Sequence, residues 1–84
     1  MDTKEAIMTL DQLSPNESAV IVKVGGEGAL RLRLLDMGFI PRTKVTFVKA
    51  APMGDPIEFR LRGYEITLRK EDARQIEVTK GGVA

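Results

Sequence analysis

The sequence predicts a mainly β fold, a small β-barrel of five to six short strands with one short α-helix inserted at about 29–37 and a helical turn near 70–75. Three observations carry this reading. Short β-branched or alternating apolar runs recur along the chain. Tight turn signals punctuate them. One run, ending at Gly38, closes on a helix stop instead of a hairpin.

At the start, Leu10 and Leu13 flank polar residues, and Ser14-Pro15-Asn16-Glu17 is a turn cluster, so a short edge segment followed by a turn is expected. The run from Ala19 to Val24 is rich in β-branched residues and reads as a strand buried on much of both faces. Gly25, Gly26 and Gly28 end it. Between Ala29 and Met37 the signals conflict: Leu30, Leu32 and Leu34 alternate like a strand, whereas Leu30, Leu34 and Met37 fall at helical spacing. The stop decides for a helix. Gly38 can take a left-handed conformation, Phe39 can pack back on Leu34, and Pro41 blocks continuation. Leu35 is expected to widen the apolar stripe beside Leu32. Asp36 sits at the negative end of the helix, where Arg33 can answer it.

Val45 to Ala50 is a further strand, with Val45 and Phe47 on one face. Pro52-Met53-Gly54 forms a turn, and Pro56 pushes Asp55 to an extended conformation that starts the next strand. Ile57 to Leu61 and Tyr64 to Leu68 form the clearest hairpin. A loop of Arg62-Gly63 alone pairs Leu61 with Tyr64, Phe59 with Ile66 and Ile57 with Leu68 on the core face, and sets Arg60 opposite Glu65 outside. That loop needs Arg62 at positive φ, so a four-residue loop of the same parity is the alternative. Lys70 to Gln75 makes one helical turn with Ala73 inward, and Ile76-Glu77-Val78 is a last short strand. Residues 9–79 form a single domain, with loose ends at 1–8 and 80–84. Short edge strands can pair with another chain, and no proline beyond Pro56 guards them.

The chain of 84 residues is 43% hydrophobic, which suits one small domain with little room for a deep cleft. It contains no cysteine and no histidine. Thiolate and imidazole are therefore absent from any nucleophile, general base or soft metal site. A net charge of +1 lacks the basic excess of a domain dedicated to nucleic acid. No apolar run is long enough to span a bilayer, and the N-terminus lacks the pattern of a signal peptide.

Gly26, Gly28, Arg33-Leu34 and Met37-Gly38, then Pro41, Thr43 and Val45, then Pro52-Met53-Gly54-Asp55-Pro56-Ile57 stand in a fixed order. With Arg62-Gly63-Tyr64, Leu68-Arg69, Ala73, Ile76 and Val78, they make the chain resemble the ferrous iron transport protein A (FeoA) family as a stand-alone member. The likeness runs from about Leu10 to Val78. Two departures stand out: the family's common Pro-Gly-Thr turn is Pro41-Arg42-Thr43, and its Glu-Ala pair is Asp72-Ala73. Without glycine at Arg42, a type I turn is expected. The resemblance implies an SH3-like barrel in the cytoplasm, recruited by its partner to the inner face of the membrane. That partner is FeoB, a ferrous iron transporter with a cytosolic GTP-binding domain. Kinship with the SH3-like C-terminal domains of iron-dependent repressors is also implied.

No nucleophile and base stand together, so a non-enzyme is expected. The carboxylates Asp36, Asp55, Glu58, Glu65, Glu71 and Asp72 have no ligand spacing and read as solvated charges, with a weak ferrous or other divalent-cation site at Glu71 and Asp72 as the alternative. No cofactor is expected. Gly25-Gly26-Glu27-Gly28 lacks the lysine and hydroxyl of a phosphate loop and reads as a flexible connection. Proline-rich peptide capture needs an aromatic groove, yet Phe47, Phe59 and Tyr64 are assigned to the core. Arg31, Arg33, Arg42 and Lys44 form either a solvated face or a docking surface for an acidic partner. Met53 at its turn tip is an adaptable contact residue. The expected partner-binding set is therefore Arg31, Arg33, Asp36, Arg42, Met53 and Asp55. The competing functions are a nucleic-acid-binding barrel using those cations with Arg60 and Arg62, and a metal-sensing domain.

Overall fold

The structure is a computed structural model that describes residues 7–80. Six antiparallel strands form one sheet: β1 (Ile7–Thr9), β2 (Ser18–Val24), β3 (Lys44–Ala50), β4 (Ile57–Leu61), β5 (Tyr64–Leu68) and β6 (Ile76–Thr79). Their order across the sheet is β1-β6-β2-β3-β4-β5. Helix α1 (Gly28–Asp36) lies between β2 and β3, a single turn α2 (Lys70–Ala73) between β5 and β6, and a 3-10 turn (Leu10–Gln12) follows β1. The Cα radius of gyration is 12.1 Å.

One face of the sheet curls around a single core. Two bulges help it bend, one in β2 between Ile21 and Lys23 and one in β3 between Phe47 and Lys49. Ala19, Ile21 and Val24 from β2, Val45 and Phe47 from β3, Ile57, Phe59 and Leu61 from β4, Leu68 from β5 and Ile76 and Val78 from β6 meet in it. Leu34 of α1 and Leu10 of the 3-10 turn close it from outside the sheet, both without exposed surface. At its centre Phe59 meets Phe47 and Phe39 edge to face, with ring centroids 5.6 and 6.3 Å apart. That geometry sets ring edges against ring faces and adds to the burial of three large side chains.

The helix stop forms as a Schellman motif: the Phe39 amide donates to the Leu34 carbonyl (3.1 Å), the Gly38 amide to the Leu35 carbonyl (3.0 Å), and Gly38 takes φ +108°. Phe39 and Leu34 are both fully buried. The β4–β5 hairpin takes the two-residue loop, with Arg62 at φ +53° and Gly63 at +87°. Its pairs are Leu61 with Tyr64, Arg60 with Glu65, Phe59 with Ile66 and Ile57 with Leu68. The four-residue alternative is therefore excluded.

Several expectations are corrected. Ile7 and Met8, assigned to a loose N-terminus, form β1 against Thr79 and Val78 of β6. Lys80, assigned to a loose C-terminus, pairs with Glu17 at 2.6 Å, and the other expected loose positions, 1–6 and 81–84, lie outside the described residues. β2 is buried on one face, because Val22 and Lys23 are exposed beside its bulge. Leu35 joins the core-facing stripe of α1 with Leu30, Leu34 and Met37, but Leu32 is 63% exposed because it points to the opposite side. Tyr64 is 44% exposed at the rim of the core, where its hydroxyl donates to the Met37 carbonyl (2.6 Å) at the end of α1. The turn at Arg42 is not type I: Arg42 has φ +75° at the third position of a turn closed by the Thr43 amide on the Ile40 carbonyl (3.1 Å), the sign that type II requires.

Candidate functional site

The two chain reversals in residues 34–57 are stitched to the same small element, α2. The Asp55 carboxylate accepts the Lys70 amide at 2.8 Å, which satisfies one of the free N–H groups at the start of α2. From the other side Arg33 of α1 reaches Asp72 of α2, with 3.5 Å between Nη2 and Oδ2. The Arg33–Asp36 pair expected within the helix is replaced by this longer-range one. Asp36 stands exposed in the last turn of α1 and makes no ion pair among the described residues. Asp72, beside Glu71, is thus engaged within the chain by Arg33. Among the described residues no group of three or more potential metal ligands gathers.

Met53 projects from the tip of the 51–54 turn, which the Gly54 amide closes on the Ala51 carbonyl (2.7 Å), and it is 91% exposed. Among the described residues nothing buries that side chain. The Asp55-Pro56 bond just after it is cis, and the Ala51 amide donates to the Pro56 carbonyl (2.9 Å) across the loop base. Asp55 and Arg33 thus both reach α2, while Met53 stands exposed two residues before Asp55.

The other cations run along β2. Arg31 donates from Nε to the Val24 carbonyl (3.3 Å), the Arg42 amide donates to the Ile21 carbonyl (2.7 Å), and Lys44 pairs with Val20. Arg31, Arg42 and Lys44 are exposed. The supposed four-residue basic cluster therefore divides: Arg33 turns to α2, and the other three line β2. Gly25, read as part of a flexible connection, is instead fixed by its amide on the Gln75 carbonyl (2.6 Å).

A charge ladder on the outer face of β3, β4 and β5 was not legible as a unit in the sequence. Lys49 faces Glu58 at 4.0 Å, and Arg60 holds Glu65 at 2.6 Å. Glu65 lies against Glu58 and pushes the Glu58 carboxyl above its ordinary pKa, helped by partial desolvation. Arg60, the main cause, holds Glu65 below its own. A shallow groove of about 390 Å³ lined by Lys49, Pro52, Pro56, Glu58 and Thr67 runs beside this ladder. The signal that could have found it is the hairpin register, which puts 58, 60, 65 and 67 on one face.

The family model for the FeoA domain matches residues 8–80. A fusion protein of Porphyromonas gingivalis, Fe(2+) transport protein A/Fe(2+) transporter FeoB, is 45% identical over 71 residues, which are 84% of this chain and 8% of that protein. The chain thus spans under a tenth of the fusion. A putative Fe(2+) transport protein A of Campylobacter jejuni is 31% identical over 84% of this chain and 96% of its own length. The solution structure of iron(II) transport protein A from Clostridium thermocellum superposes with a TM-score of 0.84 at 40% identity, covering 89% of this chain and 46% of that one. FeoA of Stenotrophomonas maltophilia complexed with zinc, described as a procaryotic SH3 domain protein, gives 0.75 at 29% identity, covering 84% and 88%. A manganese-dependent transcriptional repressor shares the fold alone, with a TM-score of 0.82 at 9% identity. With the family model covering nearly all of the described residues and the barrel shared with its solved members, this chain belongs to the FeoA family and is built as an SH3-like barrel.

Proposed function

We propose that the protein is an accessory of FeoB-type ferrous iron uptake that acts by binding the cytosolic GTP-binding part of the transporter. The observation that carries this reading is the Porphyromonas gingivalis fusion, in which a domain 45% identical to this chain is covalently joined to a transporter named FeoB. Domains fused in one relative often associate as separate chains in another, because a tether replaces affinity with effective concentration. The contacts of Asp55 and Arg33 with α2, and the exposed Met53 thioether two residues before Asp55 that can adapt to a partner, support a contact surface there. Arg31, Arg42 and Lys44 along β2 are a second, cationic surface suited to steering an acidic partner. The role is binding and not catalysis, consistent with a chain that has neither cysteine nor histidine. Calorimetric titration against the transporter's cytosolic domain, with and without a GTP analogue, tests the proposal. Saturable heat is the expected result. Absence of binding to both that domain and the full transporter overturns it.

A further inference from the structure

Strand β5 is an outer edge of the sheet, and it is an unguarded one. The opposite edge, β1, spans three of the described residues. β5 runs five residues in unbroken register with β4. It contains no proline, no lysine and no bulge, the devices by which natural edges discourage pairing. Its charge, Glu65, is already answered within the chain by Arg60.

The two-residue hairpin loop makes Leu61 and Tyr64 a hydrogen-bonded pair, so Tyr64, Ile66 and Leu68 turn their backbone groups to β4. Glu65 and Thr67 turn theirs outward, and the turn and loop hydrogen bonds of the described residues use none of them. Two N–H groups and two C=O groups stand ready for another strand.

We propose that β5 pairs with β5 of a second copy of this chain, antiparallel about a two-fold axis at Ile66. The choice of occupant follows from the register. Centred on Ile66, Glu65 of each chain faces Thr67 of the other, all four outward groups on each edge find partners, and no like charges stand opposite. Centring on Glu65 sets two carboxylates opposite each other. Centring on Thr67 requires the Arg69 carbonyl, which already accepts the Asp72 and Ala73 amides at 2.9 and 3.0 Å. Only the Ile66 register satisfies both backbone and side chains, and it brings the half-buried Ile66 side chains together. A single five-residue edge is smaller than a standard interface of roughly 1,600 Å², so the dimer is a weak one that forms at high protein concentration.

The chain has no cysteine, which makes the test clean. In the proposed register the two Ile66 positions form a non-hydrogen-bonded pair with Cα atoms about 4.5 Å apart, within disulfide range. The variant Ile66→Cys is expected to oxidise to a linked dimer about tenfold faster than Glu71→Cys, because pairing raises the effective thiol concentration. Thr67→Pro, which removes an outward N–H and leaves the β4 ladder intact, should abolish that advantage. Equal oxidation rates for Ile66→Cys and Glu71→Cys, or an advantage that survives Thr67→Pro, overturn the proposal. Hydrogen exchange on the natural chain gives an independent reading: the Glu65 and Thr67 amides should slow as concentration rises into the millimolar range while the Ile66 amide does not change. Concentration-independent exchange at both positions also overturns it. Both experiments use this chain alone, so their outcome is separate from that of the transporter titration.

Discussion

Arg42 shows how far a single residue's preference can be overridden by its surroundings. A side chain at φ +75° costs about 1–2 kcal/mol relative to the right-handed region. Arg42 accepts this because its amide donates to the Ile21 carbonyl while the Thr43 carbonyl accepts the Ile21 amide (3.0 Å), so the turn is clamped to β2 from both sides. A type I turn would relieve the backbone and forfeit the clamp. Arg42→Gly is therefore expected to raise stability by about 0.5–1 kcal/mol, the strain relieved less the extra flexibility of an unfolded glycine, as read from the urea midpoint. Arg62 carries a similar φ in the hairpin loop, where the strand register leaves room for only two residues. At both positions the propensity of the sequence pointed away from the conformation that forms.

The end of α1 and the start of β5 act as one element through Gly38 and Tyr64. A Cβ at Gly38 would collide with the Tyr64 hydroxyl, which itself caps the helix end by donating to the Met37 carbonyl. Gly38 also sits at φ +108°, where a side chain is strained whatever the space. Gly38→Ala is thus expected to cost about 2–4 kcal/mol, a large share of the stability of a small domain. Adding Tyr64→Phe should recover only part of that loss in chemical denaturation, since it removes the collision but not the backbone strain. The helix stop itself was legible in the sequence, because Gly, an apolar residue and Pro in that order encode a local geometry. The Tyr64 cap was not, since it joins residues 27 apart that share no local pattern.

Across the whole molecule, surface charge sets how stability follows pH. Glu17, held by Lys80 at 2.6 Å and by the Ser14 amide, has its pKa lowered, as does Glu65 beside Arg60. Their contributions are present above the ordinary carboxylate range near 4.5 and are lost as pH falls through the folded values. Glu58 works the other way. Its raised pKa means the folded chain holds that proton more tightly than the unfolded chain, so its contribution is full below about 4.5 and is lost as pH rises through the folded value. An ionised Glu58 beside Glu65 is then a cost at neutral pH. Glu58→Gln should raise the urea midpoint near pH 7, and the difference from the natural chain should fade near pH 4.

The sequence by itself determined strands β2 to β6, helix α1 with its stop, the hairpin register and the family, because each is written in local periodicity, turn chemistry or the order of short motifs. The triad of Phe39, Phe47 and Phe59 belongs partly to this class: the pattern turned Phe47 and Phe59 inward, and the helix stop brought in Phe39. Only the tertiary structure decided what those elements do to one another. It tied Asp55 and Arg33 to α2, separated Arg33 from the other cations, turned Leu32 outward, set Glu58 against Glu65 and left β5 as an open edge. These are contacts between residues far apart in the chain, fixed by how the bulged sheet curls and by where α1 and α2 meet it. Local patterns constrain which face a residue takes, whereas the neighbour it meets depends on closure of the whole barrel.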